Sequence, residues 1–512
     1  MALATYAHVL TTATSNQFGT TEFNVFDEDN YSSYTKEVTT NGITYNSSTG
    51  EFTVGSTGTY YIIVALQTLV GTNISGASVT WRIKLNGSEV AGGTFLPTPS
   101  GSGTGLYGPE EDTFQTVIDA TSGQSITVTI QDNSGSDHNL TAQKNSSIFI
   151  YKVENDYGLL TRTANSTGTV DPYNVYATSS GGSVVFESGS GAIVEDASGN
   201  GILKFTENKP ALLMHNGFYD GSGNPDVSTE LDVNGFVVNT YTGRKRSDEE
   251  PREISIFSAY GFSTNDKATI KSDTNFQANF AASGSSAAAI GLHPTNNFSW
   301  RTVKSNSNVA SAGSEFNIYA TGSYSSFSSF GYNTGSSYDS DSGQVTIARD
   351  GDYVIFSSNY FECSADTDIS FKVKKNGSEV NNILFHIDTY TEPAERSCIT
   401  LLSSASAGDT VQFFASGTAG NIQTNAGTTF VVVELLADDP PIPPGPPSFN
   451  QGSAGSLISD DFTINTFAQN TLSVQYDRSG TAQVPFILGG PGPLRIRGKT
   501  TAQVIKPGDK KN

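Results

Sequence analysis

Between residues 79 and 90 the apolar Val79, Trp81, Ile83 and Leu85 alternate with Thr80, Arg82 and Lys84, the period of two required of a strand with one buried face. Asn86-Gly87 follows, a dipeptide that tolerates positive φ at both turn positions and so predicts a tight reversal into a second strand starting near Val90. The same pattern returns at Val227-Ser228-Thr229-Glu230-Leu231-Asp232-Val233-Asn234-Gly235-Phe236-Val237-Val238 and at Ile369-Ser370-Phe371-Lys372-Val373-Lys374-Lys375-Asn376-Gly377-Ser378-Glu379-Val380. The third, fifth and seventh residues before each Asn are apolar in all three copies except Thr229. The asparagines stand 148 and 142 residues apart, much longer than a solenoid or propeller period, so each copy marks a domain.

The surrounding strands recur in order. In the first repeat, Gly58-Thr59-Tyr60 opens a nearly continuous apolar strand to Leu66, Ser122-Gly123-Gln124-Ser125 turns into Ile126-Thr127-Val128, and Ile148–Val153 closes the repeat. In the third, Gly351-Asp352-Tyr353 opens the strand, Ala407-Gly408-Asp409 makes the turn and Thr429–Leu435 closes it. The second diverges: Lys209-Pro210-Ala211-Leu212-Leu213-Met214 replaces the Gly-x-Tyr opening, and Asn297–Val303 is read as its closing strand. The expected organisation is residues 1–155, 156–305 and 306–437 as three domains, 438–448 as a proline-rich linker and 449–512 as a C-terminal β or extended region. The run Asp438-Asp439-Pro440-Pro441-Ile442-Pro443-Pro444-Gly445-Pro446-Pro447 suits an extended spacer and neither helix nor central strand.

Composition agrees with an all-β chain: 512 residues, 52 Gly, 22 Tyr and 30 Phe, with only 15% charged residues. A net charge of −22 disfavours nucleic acid, whose phosphates would be repelled by most of the surface. No run approaches 18 consecutive apolar residues, so no membrane span is expected, and Met1-Ala2-Leu3-Ala4-Thr5-Tyr6 lacks the basic and apolar regions of a secretory signal. Charge is unevenly divided. From residue 441 onward seven basic residues face four acidic ones, a balance of +3, which leaves −25 on the preceding part.

In sequence order, the Gly-x-Tyr strand, the Lys-Asn-Gly hairpin with Val four residues after the Asn, the Ala-Gly-Asp turn and the closing Phe strand resemble the C1q/TNF-like jelly roll. The third repeat carries the likeness through Gly351, Tyr353, Lys375-Asn376-Gly377, Val380, Ala407-Gly408-Asp409 and Phe430. The resemblance implies two antiparallel sheets packed face to face, with trimers formed through one sheet edge and aromatic faces. It also implies that the strands bearing Cys363 and Cys398 are neighbours, so that a disulfide between them is one expectation and two reduced, buried thiols the other. Family members of this kind occur among secreted recognition proteins and among virion proteins of bacteriophages. Tandem Gly, Ser and Thr-rich β-domains, no secretion signal and a separate basic tail match the virion group.

Candidate chemistry is sparse. Gly103-Thr104-Gly105-Leu106-Tyr107-Gly108 fits a dinucleotide fingerprint only in spelling, because no strand-turn-helix unit surrounds it. His8, His138, His215, His293 and His386 lack metal-ligand spacing, and no nucleophile elbow or zinc-protease helix is present. Asp220, Asn224 and Asp226 space oxygen ligands along a sharp turn in a way that suits calcium, but no downstream bidentate Glu follows and an ordinary polar loop is preferred. Arg495, Arg497, Lys499, Lys506, Lys510 and Lys511 form a basic arm suited to an acidic surface.

The expected function is therefore non-enzymatic and without cofactor: a capsid decoration, head fibre or tail-associated fibre on a bacteriophage virion surface, anchored by its C-terminal region on capsid or tail proteins. A homotrimer is expected, with an intrachain pseudo-trimer as the rival. Receptor or carbohydrate binding on a host cell is the alternative, and glycan depolymerisation a minor one.

Overall fold

The structure is a computed structural model that describes residues 4–436 apart from short internal stretches, the longest being 71–78 and 96–109, and beyond them only five strands between residues 462 and 504. Among the described residues the only helices are single 3-10 turns, and everything else of regular structure is antiparallel strand. The chain divides into a unit up to Ala437 and a second from Asp438 to Asn512.

The first unit holds three jelly rolls. In the first, one sheet runs Leu140–Ala142, Gly58–Val70, Ser147–Val153, Tyr6–Thr11, Lys36–Asn41, with Glu110–Ala120 on the other side of Gly58–Val70. The facing sheet runs Ile43–Asn46, Glu51–Val54, Ser125–Asp132, Val79–Leu85, Ser88–Phe95. Tyr60, Ile62 and Val64 point between the sheets toward Trp81, Ile83 and Val128, and all are buried. The same strand order recurs twice, so the fold class read from the pattern is the one observed.

Each Asn-Gly reversal is a hairpin of the expected type, with φ of +48° and +79° at Asn86-Gly87, +54° and +86° at Asn234-Gly235, and +50° and +79° at Asn376-Gly377. Asparagine is required for a second reason. Its side-chain oxygen accepts the amide of Ser125 (2.9 Å), Lys267 (2.9 Å) or Thr410 (2.8 Å), fastening the hairpin to the start of the neighbouring strand. In the third domain its amide also donates to Asp409 (2.7 Å), so the Lys-Asn-Gly and Ala-Gly-Asp motifs touch one another. At the late turn Gly123 and Gly408 have φ near +90°, and Asn265 fills the same role in the second domain at +74°.

Two expectations are corrected. Phe298–Asn306 does not close the second domain: it pairs with Phe327–Thr334 and Thr429–Glu434 and is the first strand of the third. The second domain closes on Ser286–Gly291, which lies between Tyr157–Arg162 and Lys209–Gly221. The border therefore falls at residues 292–297 and not at 305. Cys363 and Cys398 are both free thiols. Their strands are neighbours, but Cys398 lies opposite Ser357, six residues from Cys363 and so about 20 Å along the strand. That separation is well beyond the Cα distance of about 7 Å that a disulfide tolerates.

The second unit contains a three-stranded sheet of Phe462–Phe467, Thr471–Tyr476 and Gln483–Ile487, and a hairpin of Ile496–Gly498 with Ala502–Val504. The proline-rich linker lies outside the described residues.

Replacing Asn376 by Ala should destabilise the first unit by about 2–3 kcal/mol, combining a strained left-handed Ala with a lost hydrogen bond. Asn376→Gly should recover the conformational part and cost only about 1 kcal/mol. Urea denaturation of both variants checks this, and equal losses would show that the backbone conformation is not what selects Asn.

Candidate functional site

The largest constructed feature is the surface at which the three jelly rolls meet. In each domain the outer face of one sheet is apolar and buried, with Tyr61 and Ile63 in the first, Leu212 and Met214 in the second, and Val354 and Phe356 in the third. A single hydrophobic cluster joins them, running from Tyr6 and Phe149 through Ala288 to Val431 and Leu435. The separate interiors of the first and third sandwiches are distinct clusters.

Three strands organise this meeting: Glu110–Ala120, Arg252–Phe262 and Ala394–Ala405, the axial strands. Pairing with the neighbouring long strand makes Gln115, Phe257 and Ile399 equivalent, as they oppose Ile63, Met214 and Phe356. They are spaced by 142 residues each time, and all three are buried. The axial strands touch each other, and each packs onto the sheet of the next domain: the first on the second, the second on the third, the third back on the first. That is a closed ring of head-to-tail contacts with pseudo-threefold symmetry.

Polar bonds fix each seam. Between the first and second domains, Gln115 donates to the carbonyl of Met214 (3.1 Å) and Asn216 donates to that of Thr113. Between the second and third, Tyr360 donates to Ser255 O (2.8 Å), Thr429 to Phe257 O (3.1 Å) and Thr302 to the Asn239 side chain (2.7 Å). The seam from third to first has no linker to hold it. There Tyr6 donates to Asp352 (2.8 Å), Tyr151 donates to Leu436 O (2.9 Å), and Phe149 meets Phe356 edge to face at 5.9 Å. The faces that the resemblance assigns to trimer contact are therefore occupied within one polypeptide. The intrachain alternative replaces separate beads joined through these faces into a homotrimer.

His8 lies in that seam, 4% exposed, hydrogen-bonded to the backbone of Ile399. Burial lowers its pKa from 6.5 to about 4, and the bond to Ile399 offsets only part of the effect. His215, inside the second sandwich beside the Tyr176 hydroxyl (3.0 Å), is lowered to about 3 by the same cause. An apolar cavity adjoins His215, lined among others by Leu160, Leu213, Ile256 and Ala287. Its wall includes Ala287, which stands where the other domains place the larger Ile148 or Phe430. A packing deficit accounts for it without a ligand.

The buried carboxylate of Glu434 is also structural. Arg349 binds it through two nitrogens, Asn297 donates to it from backbone and side chain, and Asn296 donates to its carbonyl. This network ties the last strand of the third domain to the segment that enters it.

Most residues of the sequence-predicted sites lie outside the described residues. Asn224 lies outside the described residues, and Asp220 and Asp226 fall at the ends of strands, opposite Asn279 and Arg244. Of the basic arm, Arg497 lies in the Ile496–Gly498 strand opposite Gln503; Arg495, Lys499, Lys506, Lys510 and Lys511 lie outside the described residues, as does the Gly103–Gly108 motif. Among the described residues no group of His, Cys, Asp and Glu is arranged to hold a metal. No described helix is long and apolar enough to cross a membrane. A further repeat escaped sequence reading: Phe23-Asn24-Val25-Phe26, Tyr173-Asn174-Val175-Tyr176 and Phe316-Asn317-Ile318-Tyr319, whose Asn side chains accept the amide two residues on at 3.0–3.1 Å. Its signal was a shared aromatic-Asn-aliphatic-aromatic spelling.

No protein-family model matches this sequence, and neither does any curated protein. Among solved structures, Eiger TNF from S. frugiperda is similar at 17% identity, over 28% of this chain and 96% of that one, with a TM-score of 0.19. PNGF-II is similar at 9% identity over 85% and 99%, with a TM-score of 0.23. The tandem CBM51 modules of Sp3GH98 from Streptococcus pneumoniae give 11% over 54% and 96%, with a TM-score of 0.15. Such scores carry no argument about activity.

The buried histidines set an acid limit. The unfolded chain binds a proton at His8 near pH 6.5 while the folded chain refuses it until about pH 4, so stability is full above pH 6.5 and is lost as pH falls toward 4. The loss attributable to His8 is of the order of 3 kcal/mol. His8→Leu, which installs the residue found at the equivalent Leu159, should flatten this fall; urea midpoints at pH 7 and pH 4.5 test it, and an unchanged difference between the two would be contrary.

Proposed function

We propose that the protein is a non-enzymatic structural display protein of a bacteriophage virion surface, a capsid decoration or a head or tail-associated fibre. Residues 1–437 form its head, and the C-terminal segment attaches it to capsid or tail proteins. The observation that carries this reading is closure of the ring within one chain. A trimer of separate chains would bear three tails, whereas this head bears one, a stoichiometry suited to a single attachment point on a particle. The three outer faces are also free to diverge, because one gene segment no longer has to serve all three positions.

Charge supports the attachment. The segment from residue 441 carries +3 and the remainder −25, so an acidic particle surface would attract the former and repel the latter at distances up to about the Debye length. The buried titratable groups described above are engaged in packing, which favours binding over catalysis.

Two outcomes are expected. Residues 1–437 sediment as a monomer, not at three times that mass, because their association faces are already covered. A chain lacking 449–512 is produced and folds but is not incorporated into particles; retained incorporation would remove the anchoring role.

A further inference from the structure

The pseudo-threefold ring provides its own internal comparison, since every position exists in three versions. The strands Lys36–Asn41, Val184–Ser188 and Phe327–Thr334 are equivalent edges, each lying beside the first strand of its own domain. Opposite the equivalent residues His8, Leu159 and Trp300 they carry Thr39, Glu187 and Tyr332. Two residues away they carry Glu37, Val185 and Phe330. Only the third edge places two aromatic rings there, and both are substantially exposed, Phe330 at 40% and Tyr332 at 39%.

These rings are held in place. Tyr332 lies nearly parallel to Phe298 (5.7 Å, 27°) and against Tyr260 of the second domain (5.4 Å, 39°). Gly261 makes room for it, because a Cβ there would come within 2.9 Å of the Tyr332 hydroxyl. Phe330 is braced edge-on by the fully buried Trp300 (5.5 Å, 78°). The ledge therefore straddles the seam between the second and third domains and pays little entropy when it is covered.

We infer that this ledge binds a neutral saccharide, stacked on Phe330 and Tyr332. The apolar C–H face of a sugar ring meets the negative face of an aromatic ring, and the Tyr332 hydroxyl offers an orienting hydrogen bond. Size argues against a protein partner: two such rings at two-fifths exposure present roughly 150 Å², against about 800 Å² per side in a stable interface. Charge argues against an acidic sugar. The head carries most of a strong negative excess, and the adjacent Arg301 is committed to the Trp300 carbonyl (2.8 Å) and to the Tyr338 ring (4.4 Å). This deepens the recognition alternative and is independent of the anchoring proposal.

The test is calorimetric titration of the full chain with a panel of neutral oligosaccharides (gluco-, galacto-, xylo- and manno-configured) beside sialylated and uronic-acid oligosaccharides of equal length. At least one neutral glycan should bind, Phe330→Ala and Tyr332→Ala should each weaken it tenfold or more, and Tyr332→Phe should weaken it less. Glu37→Ala and Thr39→Ala, at the equivalent positions of the first domain, should leave binding unchanged, and circular dichroism should show every variant folded. Absence of binding across the neutral panel, preference for the acidic glycans, or binding by either alanine variant as tight as by the unsubstituted chain would each overturn the inference. Because these measurements use the isolated protein, their failure leaves incorporation into particles unaffected.

Discussion

The structure depends on the contact of each axial strand with the sheet of the following domain. A jelly roll is already closed as a sandwich, so a second buried face must have another partner. Here Tyr61, Ile63 and their counterparts would leave a large apolar face in water if any one domain stood alone. Closing the ring removes all three faces at once, and no free face is left to recruit a fourth domain. Two seams are assisted by chain connectivity, which raises the effective concentration of their partners, and the third is not. The Tyr6–Asp352 and Tyr151–Leu436 bonds and the Phe149–Phe356 contact lie at that third seam, where they compensate for the absent linker.

Cis closure also changes what the sequence is free to do. Symmetric chains must satisfy every environment with one residue, but here Gln115, Phe257 and Ile399 fill three versions of one position with different chemistries. Gln115 uses its amide to reach Met214 O, while Phe257 supplies bulk and lends its carbonyl to Thr429. The second domain has diverged most. Its alanine-rich closing strand leaves the cavity beside His215, and its Gly-x-Tyr corner is replaced by Lys209-Pro210-Ala211. Tyr60 and Tyr353, by contrast, still anchor their corners on Ser56 and Arg349 carbonyls. The exposed Phe236 at its hairpin tip, where the other domains have Ser88 and Ser378, is a further departure, though a single exposed ring is ordinary on a protein surface.

Local rules were legible because they are local. The alternation before each Asn-Gly and the dipeptide's positive φ depend on a dozen contiguous residues, and all three hairpins fold as the pattern implies. Register was not legible: that two strands are neighbours says nothing of which residues oppose, and Cys398 faces Ser357 instead of Cys363. The border near residue 305 failed for a related reason. First and last strands of adjacent domains are both buried on two faces and read alike, and Ser286-Ala287-Ala288-Ala289-Ile290 is too small in side-chain volume to announce itself as a closing strand. Phe298-Ser299-Trp300 looked the stronger candidate for that role.

The choice between cis and trans association lay beyond any pattern of residues, because an apolar face looks the same whichever chain covers it. One trace of it was present. Tyr60–Leu66 and Phe430–Val433 are apolar at successive positions, not alternate ones, and a strand so composed must be covered on both sides. One side is the domain's own facing sheet, so the other must belong to a second body of similar size. The 142-residue spacing supplied two such bodies in the same chain. A lone third seam then closes the ring at the cost of no additional subunit. The exposed aromatic pair at Phe330 and Tyr332 could not be found by spacing alone, since an alternating Phe-x-Tyr on a strand ordinarily marks the buried face. Only its place on an edge, beside a neighbouring domain whose Gly261 yields space, turns the same spelling outward.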